Sequence, residues 1–177
     1  MAFMYSSSLP ALFMTTASGE TAEIDQDKNH AYEESGTIIL YDEEGTEIYA
    51  GQAESIKGRG NSTWGLAKKP YQFRLCEKTD FFGMGKGAGW NLLANGYDET
   101  RLRNRITLEL AKALGMAFVP EYRMLDLYIN NVYYGNYYLT EKIEVSDRNV
   151  AIRNMEEIVD AAYTPEELEK LPWLESE

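Results

Sequence analysis

The sequence has one cysteine, one histidine and no long apolar run, and each scarcity removes a class of protein. With Cys76 alone an intrachain disulfide is impossible, and cysteine usage leaves the redox compartment open. No run of about 18 apolar residues occurs, so no membrane span is predicted. His30 lies in an acidic stretch without a second His or a Cys cluster, so a zinc site is not expected. Residues 1–14 contain apolar side chains but no basic n-region, which makes a poor signal peptide. If the parent protein is secreted, its leader is expected outside this chain. Nothing repeats at a fixed period, and no segment is low in complexity.

What is present is a globular composition. A chain of 177 residues with 44% hydrophobic and 12% aromatic residues has core-formers enough for one compact unit and too many for a disordered chain. Thirteen tyrosines are the unusual feature. The net charge of -12 is unevenly spread: residues 20–54 carry -10, 55–90 carry +5, 91–140 balance, and 141–177 carry -7. A basic island in an acidic chain points to a local anion site more than to nucleic acid, which favours a broad basic face. The competing reading is that the same lysines and arginines solvate a strand surface.

Residues 1–35 open with an extended apolar piece at 9–16 and drift into a polar, acidic segment, expected as a partly disordered lead-in. Residues 37–41 and 46–50 flank Asp42-Glu43-Glu44-Gly45, turn chemistry between two β-formers, and read as a hairpin. A further strand is expected at 53–57, ending at Gly58-Arg59-Gly60-Asn61. Tyr71, Phe73 and Leu75 alternate with Gln72 and Arg74, the period of a half-buried strand. Gly83, Gly85, Gly87 and Gly89 fit neither a dinucleotide fingerprint nor a Walker loop and read as a flexible connection.

One strong helix is predicted over 98–114, where Leu102, Ile106, Leu110 and Leu114 recur every four residues, Asp98 or Glu99 favours the start, and Gly115 ends it. Residues 122–129 and 132–140 read as a second hairpin, with Asn130-Asn131 able to take the positive φ of a tight turn. Thr164, Pro165 and Glu167 mark a helix start in the acidic tail. The fold class expected is α+β, an antiparallel sheet with one main helix.

Five blocks of sequence, in order, resemble the CotH kinase family. They are Lys57-Gly58-Arg59-Gly60-Asn61-Ser62-Thr63-Trp64; Lys68-Lys69-Pro70-Tyr71; Trp90-Asn91-Leu92-Leu93-Ala94-Asn95; Leu102-Arg103-Asn104; and Leu127-Tyr128-Ile129-Asn130 through Tyr134-Gly135 to Tyr138-Leu139-Thr140-Glu141-Lys142. The resemblance spans roughly residues 9–152. It implies an atypical kinase-like fold that binds ATP with magnesium and phosphorylates proteins, spore coat proteins being the known substrate class. A spore coat, cell surface or secreted setting is implied with it. The order of strands, lysine-bearing strand, helix and hairpin fits the small lobe of a kinase, a likeness of layout. The organisation expected is a lead-in over 1–35, a kinase-like amino-terminal lobe over 36–152, and an acidic helical tail over 153–177 that begins a truncated continuation.

The small lobe of a kinase needs backbone donors and a cation on the phosphates, usually with a helix carboxylate steadying the cation. Arg59, Gly60 and Asn61 stand at a strand end where glycines let amides approach an anion; an ordinary turn braced by Arg59 and Asn61 is the alternative. Lys68 and Lys69 precede the strand at 71–75, and Lys69, held extended by Pro70, is the chosen phosphate lysine, against a plain surface pair. Glu109 lies ~20° around the helix from Leu102, on the border of the apolar stripe, a position that suits an ion pair with Lys69 or Arg74. Lys142 stands where a kinase-like layout would place the hinge, and either touches nucleotide or continues the strand surface. Ser62, Trp64, Arg103, Asn104 and Glu141 match the family pattern without a derived role.

The family's late aspartates, which would serve transfer and hold magnesium, have no counterpart after Lys142: Asp147 belongs to a turn and Asp160 to an acidic helix. No catalytic or metal residue is therefore assigned, and the 177 residues alone are expected to be inactive, completed by a carboxy-terminal lobe and a protein substrate. The rival reading is a non-catalytic surface-binding module, which a tyrosine-rich sheet would suit.

Overall fold

The computed structural model describes residues 8–144, and within them the chain forms a closed seven-stranded barrel. The strands are β1 (Ala11–Thr16), β2 (Glu34–Tyr41), β3 (Glu47–Gly58), β4 (Tyr71–Asp80), β5 (Lys86–Leu93), β6 (Tyr122–Ile129) and β7 (Val132–Glu141). Around the wall they run β1-β2-β3-β4-β5-β7-β6. Every pairing is antiparallel except β1 with β6, whose parallel register from Ala11↔Asp126 to Met14↔Ile129 closes the sheet. Among the described residues there are two short α-helices, α1 (Ala22–Gln26) and α2 (Arg103–Ala113), and a 3-10 turn at Ser62–Gly65.

This corrects the expected fold class. The chain is a mixed, closed β-barrel, and not an open antiparallel α+β sheet laid out as the small lobe of a kinase. The apolar piece at 9–16 makes the difference, because β1 takes both free edges of the sheet and leaves neither exposed. The glycine run needs correcting too: Gly87 and Gly89 lie inside β5. A Cβ on Gly87 would stand 2.6 Å from Oε1 of Glu141, so the carboxylate of β7 occupies the space a side chain would need.

The local elements form where turn chemistry is explicit. Oδ1 of Asp42 accepts the Glu44 and Thr46 amides at 3.1 and 2.7 Å, Gly45 takes φ 79°, and β2 and β3 follow on either side. Asn130 and Asn131 adopt φ 48° and 66° between β6 and β7, as a two-residue hairpin requires. Alternation then sets the interior: Tyr71, Phe73 and Leu75 of β4 are buried, as are Ile38 and Leu40 of β2 and Leu125 and Leu127 of β6. Leu12, Ile38, Leu40, Leu92, Leu127 and Leu139 expose nothing, each worth about 1.5–3 kcal/mol of burial.

Helix α1 is tied to β4 by Tyr71, whose hydroxyl donates to Oδ1 of Asp25 at 2.7 Å, while Ile24 enters the core. Helix α2 behaves otherwise. It begins five residues later than 98 and ends as expected at Gly115, φ 68°. None of its residues is buried, and its predicted apolar stripe is in water. The predicted turn at 146–149 and helix start at 164 lie outside the described residues.

Candidate functional site

Strand β3 ends at Gly58 because nothing larger fits: a Cβ there would lie 2.3 Å from Cη2 of Trp64. The Arg59 amide donates to the Pro70 carbonyl at 3.2 Å, Gly60 turns at φ 90°, and the Asn61 carbonyl accepts the Trp64 amide at 3.1 Å to start the 3-10 turn. Arg59 of this loop lines a cavity of about 340 Å³. Thr63, Asn95, Asp98, Arg103 and Asn104 share its lining.

The opposite wall comes from the connection between β5 and α2. Two turns, with the Asp98 amide on the Asn95 carbonyl and the Arg101 amide on the Asp98 carbonyl, carry the chain around, and Asn95 and Arg101 adopt left-handed φ of 52° and 58°. The bend brings Nδ2 of Asn104 to 2.5 Å from Oδ1 of Asn95. Asp98 is buried and directs its oxygens to the Thr100 hydroxyl at 2.6 Å and the Arg103 amide at 2.8 Å. The Thr100 hydroxyl first, then the Arg103 amide, hold its carboxyl below the usual range. The Arg103 guanidinium, largely exposed, lies 3.8 Å from the same carboxylate.

Arg59 is different. It is half-buried, burial draws its guanidinium below the usual value, and no carboxylate among the described residues pairs with it. A cation drawn out of water without a counter-charge is costly unless something negative joins it. Two guanidinium groups and two side-chain amides around one cavity can bind an oxyanion by charge-assisted hydrogen bonds.

The structure thus gathers Arg59, Arg103 and Asn104, and it separates the other expected site residues. Gly60, Asn61, Trp64 and Lys69 line a second cavity of about 560 Å³ with Asp25 and Lys28. Nζ of Lys69 donates to the Trp64 carbonyl at 2.8 Å and sits 4.6 Å over the indole. Glu109 does not meet Lys69 or Arg74: it accepts the Tyr122 hydroxyl at 2.8 Å, and Arg74 pairs with Glu54 at 2.5 Å. Lys142 lies in an outer groove with Lys57 and Arg74. Glu141 is buried against Gly87, and the Ser62 carbonyl accepts the Tyr97 hydroxyl at 3.0 Å.

Three residues that matter were not among the site residues chosen from sequence. Asn95 and Asp98 shape the cavity, and Asn95 stood in a recognised block. Lys68 donates to the Asn136 carbonyl and lies 4.4 Å over the Tyr137 ring. Burial, with Arg101 nearby, pushes it down to about 8, against the pull of Asp126.

A family model described as CotH kinase protein matches residues 56–168, well over half of the chain. No curated protein matches it.

Proposed function

The chain belongs to the CotH kinase protein family, and from that premise we propose that its Arg59 cavity grips the phosphates of ATP in an enzyme that phosphorylates proteins. The observation that carries this reading is convergence. Four of the family blocks meet at one cavity: Arg59 from the first, Pro70 from the second, Asn95 from the third, Arg103 and Asn104 from the fourth. Phosphoryl transfer relies on positioning and charge neutralisation, for which a guanidinium with no carboxylate partner among the described residues is suited. Among the described residues of the lining Asp98 is the one opposing charge, and its oxygens are already engaged. Magnesium in this reading arrives on the nucleotide, and no residue is assigned to it.

Titration calorimetry of the chain with ATP, tripolyphosphate and adenosine tests the reading. ATP and tripolyphosphate bind, and Arg59→Ala weakens both at least about tenfold, the value of one charge-assisted hydrogen bond. Unchanged affinity in a folded Arg59→Ala chain contradicts it, as does binding of adenosine with indifference to tripolyphosphate.

A second reading, a protein-binding module, is favoured by aromatics on neighbouring strands: Phe13 stacks on Tyr128 at 4.6 Å, Tyr128 meets Tyr133 at 5.1 Å, and Tyr41 meets Phe13 edge-on at 5.7 Å. Tyr133 is largely exposed, as an interface anchor would be. Failure to bind any phosphate ligand would leave this reading standing.

A further inference from the structure

Arg59 stands between two glycines, Gly58 and Gly60, the residues least able to hold a backbone by themselves. Gly58 is packed against the Trp64 indole. Gly60, at φ 90°, is held from elsewhere in the chain, by its only histidine.

Nε2 of His30 lies 2.5 Å from the Gly60 carbonyl oxygen, and the imidazole meets the Trp64 ring at 4.6 Å and 90°. A carbonyl only accepts, so Nε2 carries the hydrogen; Nδ1 is buried with no partner among the described residues. The turn that delivers the ring is constrained. Asp27 accepts the Asn29 amide at 2.9 Å and the Tyr32 amide at 2.6 Å, and His30 sits between them at the left-handed φ of 55°. A strained residue whose side chain reaches thirty positions along the chain to a single carbonyl is more than a turn-former.

We propose that His30 is a positioning residue for the phosphate cavity: its Nε2 hydrogen bond pins Gly60, and with Gly58 wedged on Trp64 it fixes the guanidinium of Arg59 from both sides. This rests on the reading that the Arg59 cavity takes phosphate. A guanidinium held in place has less freedom to lose when an anion arrives, so the effect falls on affinity as well as on loop order.

The test uses the full chain and two substitutions, His30→Gln and His30→Phe. Both put an ordinary residue at positive φ and share that strain, but the glutamine amide nitrogen reaches as far as Nε2 and can donate, whereas phenylalanine keeps only the ring. Amide hydrogen exchange is read at Arg59 and Trp64, whose amides are bonded within the loop region, and tripolyphosphate affinity by calorimetry. In His30→Phe both amides exchange about three- to tenfold faster, the range for one lost hydrogen bond, and affinity falls by a similar factor. His30→Gln stays within about twofold of wild type, the uncertainty of such contributions being of that order. Unchanged exchange in His30→Phe overturns the proposal, as does equal damage in both variants, which would assign the effect to ring packing. Faster exchange with unchanged tripolyphosphate affinity overturns the positioning role. If wild type itself ignores tripolyphosphate, the phosphate reading fails, while exchange still decides whether His30 pins the loop.

Discussion

The barrel wall and helix α2 carry equally regular apolar patterns in sequence, and they use them differently. In β4, Tyr71, Phe73 and Leu75 are 1%, 2% and 1% exposed; along α2 and its two caps, Leu102, Ile106, Leu110 and Leu114 are 43%, 61%, 55% and 72% exposed. Closure of a sheet gives one face an interior automatically, so alternation in a strand becomes burial. A helical stripe marks a face without supplying its cover. The contacts that tie α2 to its flanking segments are polar ones: the Tyr122 hydroxyl on Glu109, Lys112 paired with Glu121 at 2.7 Å, and Asp98 on the first helical amide. Stability is therefore concentrated in the wall, while α2 serves to place Arg103 and Asn104 at the cavity.

The comparison breaks most visibly under truncation. Leu92→Ala should cost about 2–5 kcal/mol in chemical denaturation, because it opens a cavity in a closed interior. Leu110→Ala should fall within about 0.5 kcal/mol, as exposed substitutions do. Similar losses at the two positions would show that α2 is packed in solution.

Gly58→Ala comes next, at about 1–3 kcal/mol, since a Cβ 2.3 Å from the Trp64 ring forces repacking at the lip of the wall. A neutral result would mean that Trp64 yields freely and that the loop is not wedged.

A smaller effect is read in pH. In the folded chain Lys68 releases its proton near pH 8, and in the unfolded chain near its ordinary 10.5. Between those values the unfolded state binds more protons, so stability rises with pH. Above about 10 the sign turns, because Tyr133, raised to about 12 by burial and Asp126, and the buried Tyr71 and Tyr137, raised further, keep protons in the folded chain that the unfolded chain gives up. Urea melts from pH 7.5 to 10 should therefore show a rise in wild type that Lys68→Met lacks. Parallel profiles would mean that Lys68 is solvated in solution.

The smallest effect on stability belongs to Arg103→Ala, within about 0.5 kcal/mol, with ATP affinity nonetheless reduced several-fold. Loss of both together would return α2 to a structural role.

What was legible in the sequence was local. Asp42 to Gly45, Asn130-Asn131 and Gly115 each state a turn or a stop in their own chemistry, and the structure places one at each. Barrel closure was not legible, because Met14 and Ile129 pair across the length of the described chain and neither residue's neighbours signal it. Strand β5 was hidden by its glycines, and the one at position 87 faces Glu141, a residue of another strand. At the site, the motif blocks pointed to Arg59, Arg103 and Asn104, but not to how they meet. That depends on left-handed backbone at Asn95 and Arg101, and at an arginine such geometry has no sequence signature. The choice between Lys68 and Lys69 turned on direction: adjacent in sequence, one reaches Asn136 and Tyr137 and the other Trp64.

Amide hydrogen exchange across the whole chain, with and without saturating ATP, tests the phosphate cavity most directly. Slowed exchange should appear at Arg59, Thr63, residues 93–98, Arg103 and Asn104, which line the Arg59 cavity. Slowing confined to the groove of Lys57, Arg74 and Lys142, or no slowing anywhere, would contradict the assignment.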